Sequence, residues 1–504
     1  MRNDQLPNSL PVSRRDEAFD PETAFTSNTY KKVNIFATDQ NFTLAEVIET
    51  WIYQKGFPIL YVRKRPDGKV QVTQEIYRHV PGHKHSGVQW KIPLFLRDPL
   101  TLEPTVKWLV ENSTAILDLG KDTVLDREGR SFVRIRYDAE LYLDITARLH
   151  ADPNCIPVAA RTRLMDDSFT LAEVGNLSYA HALNISVYLR KETAYPPVKM
   201  LHAHLDFLVS RLTAHPKFPL FQKFIIAILE PLFEHFQRHP LENDVKIHED
   251  DLRGTVYTRV CLNGHRACVD YSLELLNKLR ISCANSMLSN RTCNTIPPYL
   301  RQPLYSTAVM YGNDDIFEFM YSKWETEIYQ TERERIWIAL GASKKKEHIH
   351  RIFDGLFFNE VPVDLLPMCA GYASYNHPVN HFTSYVLENM DRLKEAVHGN
   401  RLPVDIFLQT FARGIVKIDD IPKFNSFVER LAPAVPMKLS AMLNSRVRSV
   451  SVWMARYGDS VINNITVIMR QINTKESIES IDRLAVNRSS DNGRTPPGDF
   501  LDHK

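Results

Sequence analysis

The sequence carries almost no excess of either charge. Its 62 lysine and arginine residues nearly balance its 60 aspartate and glutamate residues, which leaves a net charge of +2. This balance gives no electrostatic reason to expect a nucleic acid or an anionic membrane surface as a partner. The sequence also lacks an apolar run of the roughly 20 residues that a membrane-spanning helix needs. We therefore expect no nucleic-acid partner and no transmembrane segment in this chain.

Two further absences narrow the function classes. Met1–Asp20 is polar and charged, without the apolar core of a signal peptide, so we expect a cytoplasmic protein if the chain is complete. Glycine is scarce, with 18 residues in 504. The sequence has neither a phosphate-binding glycine-rich loop nor the Gly-x-Ser-x-Gly turn of serine hydrolases. These common nucleotide-binding and esterase signatures are therefore excluded.

The spacing of the apolar residues divides the chain into five parts. We predict a flexible lead-in at 1–40, a helix within 41–57, and a small antiparallel β-sandwich at 58–138. A large α-helical, HEAT-like solenoid follows at 139–473, and a disordered tail at 474–504. The predicted fold class is therefore multi-domain and mostly α.

Six short segments with alternating apolar residues predict the strands of the sandwich. Turn signals at Asp67-Gly68 and Glu128-Gly129 separate some of them. The segments are Ile59–Arg63, Lys69–Tyr77, Val88–Leu96, Thr105–Val110, Thr114–Leu119 and Phe132–Tyr137.

Beyond the last strand the apolar spacing becomes helical. Arg163–Pro197 predicts two helices: Gly175 ends the first, Ser178 caps the second, and Pro196-Pro197 stops it. Wide apolar stripes follow, such as Phe221–Phe236, which must be buried on two sides. Successive helix pairs with short links favour an α-solenoid, although the sequence shows no clean repeat.

Two charged clusters could indicate a functional site. The paired carboxylates Asp166-Asp167 suggest acid/base chemistry, but we favour a role on a helix surface and in capping. Lys344-Lys345-Lys346 is typical of a solvated helix start, with a basic contact patch as the alternative.

Five segments, in order along the chain, carry a resemblance to a known family. They are Glu49–Pro58, Trp90–Leu94, Arg134–Asp138, Arg163–Tyr195 and Asn294–Arg301. Together they resemble the C-terminal half of the zinc aminopeptidase N and endoplasmic-reticulum aminopeptidase family, over about residues 42 to 473. The resemblance implies that 41–57 is what remains of the last catalytic-domain helix, followed by the family's β-sandwich and its large helical domain. Ser131 departs from the glycine that the family usually has there.

The zinc site of that family is missing from this sequence. Its activity needs His-Glu-x-x-His on a helix, where two imidazoles one turn apart bind zinc and the glutamate acts as base. His248–Leu252 begins the motif but has leucine at the second histidine, and His377–His381 has the spacing without the glutamate. His202–His204 and His348–His350 lie two residues apart, which is the wrong geometry on a helix. The family's Gly-Ala-Met-Glu-Asn motif is also absent. We therefore assign no catalytic residue, no metal ligand and no cofactor to this chain; zinc belongs to the family's missing catalytic domain.

The resemblance also implies one disulfide bond. Cys261 and Cys268 bracket a central Gly264, as in the family's first disulfide, and two buried free thiols are the alternative. The family's second disulfide falls at Ser306 and Ala342, so both of its cysteines are absent together. The pairing of the other cysteines is left open: Cys155, Cys283, Cys293 and Cys369.

Asn-x-Ser/Thr sequons are somewhat more frequent than chance predicts, which mildly favours a history in the secretory pathway. The candidate glycosylation sites are Asn41, Asn112, Asn176, Asn184, Asn290, Asn464 and Asn487. The resemblance likewise implies an extracellular, secretory or plasma-membrane location.

Two functional hypotheses follow. In the first, the chain is a non-catalytic aminopeptidase N-like protein whose helical domain acts as a peptide chamber, an interaction module or a dimerisation module. In the second, it is a fragment or truncated isoform of an active zinc metalloaminopeptidase that removes N-terminal residues from peptides. We expect self-association or docking on a full-length relative, and peptides as further partners. Without a catalytic domain, Leu44, Ile48 and Trp51 should form an exposed apolar stripe on their helix.

Overall fold

A computed structural model describes most of the chain. The described residues are 42–77, 89–97, 101, 103–110, 113–120, 124–239, 247–357, 381–398, 404–416, 418–431 and 435–491. The predicted lead-in lies outside the described residues, as do Cys369 and the sequon asparagines Asn41 and Asn112.

All six predicted strands are present, and they form two small sheets. One sheet has the order β5-β2-β1-β6 and the other pairs β3 with β4. The bounds are β1 Pro58–Lys64, β2 Val70–Ile76, β3 Ile92–Arg97, β4 Pro104–Leu109, β5 Ala115–Leu117 and β6 Arg134–Tyr137.

One pairing corrects the prediction of an antiparallel sandwich. Strand β6 lies parallel to β1, with Ile59 opposite Arg134 and Val62 opposite Tyr137. Nearly 70 residues separate these two strands, which is enough chain to return in the same direction, as a parallel pair requires. The other pairs are antiparallel, and the pairing of Val62 with Val72 places two fully buried side chains opposite each other.

Helix α1, Leu44–Ile52, packs against the sandwich, and the burial of Trp51 corrects one part of the predicted exposed stripe; the Leu44 side chain lies outside the described residues. Trp51 is 6% exposed and Val47 is 1% exposed. The Trp51 indole Nε1 donates to the carbonyl of Lys91 at 3.1 Å, and its ring lies 6.2 Å from that of Trp90. Ile48 is half-buried. The prediction was wrong about Trp51 because the edge of the sandwich itself provides the apolar cover.

The remaining helices confirm the mostly α fold class. Their bounds are α2 Ala139–Ala151, α3 Val158–Glu173, α4 Tyr179–Ser186, α5 Tyr195–Leu212, α6 Phe218–Arg238, α7 Ile247–Leu262, α8 Arg266–Ser282, α9 Pro298–Tyr311, α10 Asp314–Thr326, α11 Gln330–Leu340, α12 Lys346–Phe357, α13 His381–Glu388, α14 Met390–His398, α15 Val404–Gly414, α16 Ile421–Arg430 and α17 Met437–Asp491.

The predicted helix pair around Gly175 is present, with one correction. Gly175 has φ 77°, the left-handed conformation that ends α3, and the Ser178 side chain accepts from the amide of Ala180 at the start of α4. Pro196-Pro197, however, begins α5 and does not stop the preceding helix. Proline fits the first helical turn because the amide that it lacks has no partner there.

Helices next to one another in the chain pack together in sequence, as in a solenoid, and α17 connects its two ends. This last helix packs against α15 and α16 and also against α4, α5 and α6. Trp453 of α17 is 6% exposed and meets Tyr179 edge-on at 5.7 Å and Phe207 at 5.6 Å. The long helix therefore holds the first helices of the solenoid against the last.

Helix α17 also extends beyond Asn473, where the sequence predicts a disordered tail. It continues to Asp491. The polar composition of this stretch led to the prediction of disorder, but it contains few helix-breaking residues before the Gly and Pro residues that follow Asp491.

Candidate binding cleft

An open cleft of about 690 Å³ lies where α8, α9 and α11 meet. One wall is the connection that follows α8, and the other two are the first turns of α9 and α11. The lining residues are Met287, Ser289, Asn290, Arg291, Pro298, Arg301, Tyr329, Gln330, Thr331, Glu332 and Arg335. Three elements thus contribute polar groups to one concave surface.

The floor of the cleft is a buried arginine. The Arg301 guanidinium donates to the carbonyls of Ile296 at 2.9 Å, Leu288 at 3.2 Å and Asn294 at 3.3 Å. It also donates to the Glu332 carboxylate at 3.0 Å, and the two side chains are only 6% and 3% exposed. A buried arginine is tolerable only when its donors are paired in this way. Arg301 therefore fixes the connection before α9 against the start of α11.

Glu332 is the acceptor that two arginines and a tyrosine share. Arg335 donates to its Oε2 at 2.8 Å, and the Tyr305 hydroxyl donates to its Oε1 at 2.9 Å. The amide of Asn294 in turn donates to the Tyr305 hydroxyl at 2.7 Å. Burial, and then the Glu332 carboxylate, raise the pKa of Tyr305 well above its ordinary value, so its hydroxyl stays protonated as a donor. One carboxylate balances two guanidinium groups, which leaves the floor with a net positive charge.

The wall formed by the connection after α8 is tied at both ends. A disulfide joins Cys283 to Cys293, with their Cα atoms 5.2 Å apart. The Lys323 ammonium donates to the carbonyls of Cys283, Ala284 and Ser286 at 2.6 to 2.9 Å, and burial lowers the pKa of this lysine. These contacts satisfy carbonyls that the end of α8 leaves without helical partners.

Buried Glu327 holds the connection after α8 against the segment that carries the exposed side chains Ile328 and Tyr329, of which Tyr329 lines the cleft. Glu327 accepts from the amide of Ser289 at 3.0 Å and from its hydroxyl at 2.7 Å. The next two side chains, Ile328 and Tyr329, are 75% and 62% exposed. The cleft therefore combines basic groups in its floor with apolar surface at its mouth.

Comparison with known proteins identifies the fold that carries this cleft. The family model of the ERAP1-like C-terminal domain matches residues 124–445, which is more than half of the chain. The chain belongs to the ERAP1-like C-terminal domain family. The match begins just before β6 and ends within α17, so the whole cleft lies inside the family domain.

The curated relatives are aminopeptidases or aminopeptidase-like by name. The chain is 26% identical to the aminopeptidase-like protein AC3.5 of Caenorhabditis elegans over 61% of the chain and 29% of that protein. It is 22% identical to aminopeptidase N of Plutella xylostella over 77% of the chain and 42% of that protein. It is 24% identical to aminopeptidase Ey of Gallus gallus over 60% of the chain and 31% of that protein. The chain thus spans less than half the length of these relatives.

A second charged cluster joins strand β6 to helices α3 and α5, and it corrects the surface role predicted for Asp166-Asp167. Arg134 of β6 pairs with both carboxylates of α3, and Asp167, which is 3% exposed, also accepts from the amide of Ile135 at 2.9 Å. The prediction failed because the partner arginine lies more than thirty residues upstream, and its approach depends on the tertiary fold.

His204 of α5 belongs to the same junction. Its Nδ1 lies 3.1 Å from the Glu173 carboxylate and its Nε2 3.1 Å from that of Asp166. Burial opposes protonation, but the hydrogen bonds to Asp166 and Glu173 raise the pKa of His204 above its ordinary value. Burial likewise opposes ionisation of Asp166, yet Arg134 and His204 hold its pKa below the ordinary value. The cluster is a charge-paired connection between β6, α3 and α5.

The predicted disulfide lies apart from the cleft, whereas the sequon asparagine Asn290 lines it. A disulfide joins Cys261 and Cys268 around the α7–α8 turn, where Gly264 has φ 93°. Cys155 is a free, half-buried thiol. Within the part of the chain that the structure describes, no three His, Cys, Asp or Glu side chains are grouped so that they could hold a metal ion. No helix in that part is long and apolar enough to span a membrane.

Sequence reasoning found one part of the cleft and missed the rest. The segment Asn294–Arg301 carried the resemblance, and it forms the floor. Glu332 and Arg335 were missed, although an acidic residue at the start of α11 followed three residues later by arginine is a recognisable helix-start pair. The Cys283–Cys293 disulfide was also not assigned, since sequence alone does not fix a connectivity.

Proposed function

We propose that this chain is a non-catalytic, aminopeptidase N-like binding module that holds peptides in the cleft between α8, α9 and α11. The observation that carries the proposal is the composition of the cleft: three arginines and one carboxylate in its lining, with exposed Tyr329 at its mouth. Small-ligand sites of about 300 to 1,000 Å³ typically combine apolar walls with a few polar groups that fix orientation. A cleft of about 690 Å³ falls in this range.

The charge of the lining selects for a carboxylate on the bound peptide. Glu332 is already engaged by Arg301, Arg335 and Tyr305, so it adds little negative charge to the mouth. Arg291 is exposed, and 27% of the Arg335 side chain is exposed, so both can turn toward a ligand. Arginine binds carboxylates through two parallel donors, which gives both affinity and orientation.

Exposed Tyr329 at the mouth supplies the second half of the recognition. It lines the cleft just before α11 and keeps most of its surface in water, as does the preceding residue, Ile328. A peptide side chain that covers them would remove apolar area from solvent at about 25 cal/mol per Å². We therefore expect a peptide with an apolar residue close to a free carboxylate to bind best.

The matched relatives are named aminopeptidases, and in this proposal any cleavage belongs to parts of those proteins that this chain does not span. We expect the purified chain to hold no stoichiometric zinc and to release no N-terminal residue from peptides. We also propose an oxidising location, in the secretory pathway or outside the cell, because two disulfides stabilise the helical domain.

Charge reversal in the cleft tests the binding proposal. Arg291→Glu and Arg335→Glu should each weaken binding of a fluorescent peptide with a free carboxylate by about tenfold, the loss of one charge-assisted contact. Arg266→Glu is the matched control, because Arg266 is 92% exposed on α8 outside the cleft lining. If all three substitutions weaken binding equally, the effect comes from net charge alone, and a specific site is refuted.

A second candidate function is favoured by the length comparison. Because the chain spans 29 to 42% of its aminopeptidase relatives, it could be part of an active zinc metalloaminopeptidase. Sequencing the 5′ end of the transcript distinguishes the two: an upstream His-Glu-x-x-His supports this second function, and its absence from the full transcript supports the first.

A further inference from the structure

The structure separates the candidate glycosylation sites by their surroundings. Four sequon asparagines have described side chains: Asn176, Asn184, Asn290 and Asn464. A glycan is bulky and needs a surface position in the folded protein. We propose that Asn290 is the one of these four that carries an N-linked glycan, and that the glycan stands at the mouth of the cleft.

Asn290 lies on a loop, and both ends of its sequon are accessible. Asn290 and Thr292 are exposed, and they lie within the segment that the Cys283–Cys293 disulfide closes. The Asn290 Oδ1 accepts from the amide of Thr292 at 2.9 Å, so this turn uses the side-chain oxygen and not Nδ2, the atom that glycosylation modifies. The loop can therefore hold a sugar chain without any rearrangement of the fold.

The two sequons that lie within helices are less accessible than the sequon of Asn290. Asn464 lies within α17, where its Nδ2 donates to the carbonyl of Ser460 at 2.8 Å. Asn184 lies within α4, and the Ser186 of its sequon is fully buried with its hydroxyl donating to the carbonyl of Leu183 at 2.7 Å. Asn184 and Asn464 are both half-buried within their helices, whereas Asn290 is an exposed loop residue.

Asn176 is a loop residue, but its position is crowded. It is half-buried, and its amide donates to the carbonyl of Leu171 at 2.9 Å in the cap of α3. The adjacent Gly175 lies directly against Tyr457 and Arg456 of α17. A glycan here would push on the contact by which α17 holds the first helices. Exposure of the whole sequon therefore singles out Asn290.

The disulfides place the required chemistry in the same compartment. Disulfide bonds persist in oxidising environments such as the endoplasmic reticulum lumen and the cell exterior. The Cys283–Cys293 bond closes the very segment that presents Asn290. A protein in which this bond forms thus passes through a compartment where asparagine glycosylation also takes place.

The glycan would have a direct structural consequence, because Asn290 lines the cleft beside Arg291. A sugar chain on its rim would shield the mouth from large ligands while leaving room for a peptide end. The occupancy of the site does not depend on the proposed binding function, so each can fail separately.

Site-resolved glycopeptide mass spectrometry tests the proposal on protein recovered from the secretory pathway of a eukaryotic host. Enzymatic removal of N-glycans in heavy-oxygen water should convert Asn290 to labelled aspartate, whereas Asn176, Asn184 and Asn464 should stay unlabelled. Thr292→Ala breaks the sequon and should abolish the label, and Thr292→Ser keeps the sequon and should restore it. Thr292 is exposed, so both variants should unfold at the wild-type temperature.

Labelled Asn290 that is lost in Thr292→Ala and kept in Thr292→Ser supports the site. Unlabelled Asn290 in secreted protein overturns it, and so does labelling of Asn176, Asn184 or Asn464, because their surroundings in the fold would then not prevent glycosylation.

Discussion

Glu332 is the buried carboxylate that neutralises part of the positive charge in the floor of the cleft. It is 2% exposed and accepts hydrogen bonds from Arg301, Arg335 and Tyr305. A buried ion pair contributes little on balance, but removing one partner leaves an uncompensated charge in the interior. Removal of the Glu332 charge would leave Arg301 as the uncompensated charge in the floor of the cleft, because only 6% of its side chain is exposed.

We therefore expect Glu332→Gln to lower the free energy of unfolding by about 3 kcal/mol or more. Arg335→Gln is the matched control, because its side chain is 27% exposed and its pair with Glu332 is screened by water. That substitution should cost less than about 1 kcal/mol. Denaturant unfolding of both variants measures the difference. Equal losses of unfolding free energy in the two variants would show that the network does not depend on Glu332.

His204 should make the stability of the protein depend on pH. The pKa of His204 is raised in the folded state above the ordinary value of 6.5 by its bonds to Asp166 and Glu173. This stabilisation is fully present below about pH 6.5 and is lost as the pH rises through the folded-state value. The lowered pKa of Asp166 also stabilises the folded state, and this stabilisation is lost only as the pH falls below about 4.

The predicted result is a difference between the two proteins that depends on pH. His204→Gln should be less stable than wild type at pH 6, and this difference should shrink as the pH rises above about 6.5, because the neutral amide gains nothing from protonation. Thermal scans across this range measure both effects. A wild-type and a variant protein with the same slope would contradict this role of His204.

These buried charges mark the limit of sequence reasoning at the residue scale. The alternation at Phe132–Tyr137 predicted a strand that contains Arg134, but nothing in it indicated Asp166, Asp167 or His204 as neighbours. These three residues come from two other elements, α3 and α5, so the contacts depend on packing angles that no local pattern encodes. Local features, such as Gly175 with its positive φ at the end of α3, were predictable because one residue determines them.

At the scale of elements, the connection between α8 and α9 decides the shape of the cleft. The Cys283–Cys293 disulfide and the Lys323 ammonium hold it in place, and it contributes Met287, Ser289, Asn290 and Arg291 to the lining. Crosslinking a loop of this size limits the unfolded chain by on the order of 2–3 kcal/mol. The Cys261–Cys268 disulfide closes a loop of similar size at the α7–α8 turn, outside the cleft lining.

The two disulfides should therefore have different effects on binding. Replacing Cys283 and Cys293 by serine should lower stability and also weaken peptide binding by several-fold, because the cleft wall is released. Replacing Cys261 and Cys268 should lower stability by a similar amount and leave the affinity unchanged. Peptide mapping without reductant first establishes which cysteines are linked, and then titrations of the two double variants are compared. If the two double variants bind the peptide with the same affinity, the loop closed by Cys283 and Cys293 is not part of the binding site.

The elements themselves were largely predictable. Alternation located all six strands, and the apolar stripe at Phe221–Phe236 corresponds to α6, whose inward residues are buried. The parallel pairing of β6 with β1 was not predictable, since the strand pattern of an edge pair is the same in either direction. The disulfide Cys283–Cys293 was likewise open, because spacing does not fix a partner.

At the scale of the whole molecule, self-association or docking on a full-length relative stays a prediction, but the structure changes which residues could make the contact. Trp51 is buried against Lys91 and Trp90, so it cannot supply the contact. Large apolar side chains on α17 do remain exposed: Met437, Met442, Val452 and Val467 are between 52% and 87% exposed. A contiguous exposed apolar patch often marks an interface, so a substitution on α17 tests whether these side chains act as one.

We expect sedimentation velocity at micromolar concentration to show a species larger than the monomer, and Met442→Glu to shift it toward the monomer. Trp51→Asp serves as the contrasting variant, because a charge in the sandwich core should unfold that region and not simply dissociate a complex. A monodisperse monomer, without affinity for a full-length homologue, would rule out the association.

The most direct test of the account is a fluorescence-anisotropy titration of the wild-type chain with one apolar peptide in two forms, a free C-terminal carboxylate and the corresponding amide. The account predicts that the carboxylate form binds about tenfold or more tightly, since only it can pair with Arg291 and Arg335, and that the difference shrinks at high salt. Equal affinity of the two forms, or binding of neither, would contradict the assignment of the cleft as a peptide site.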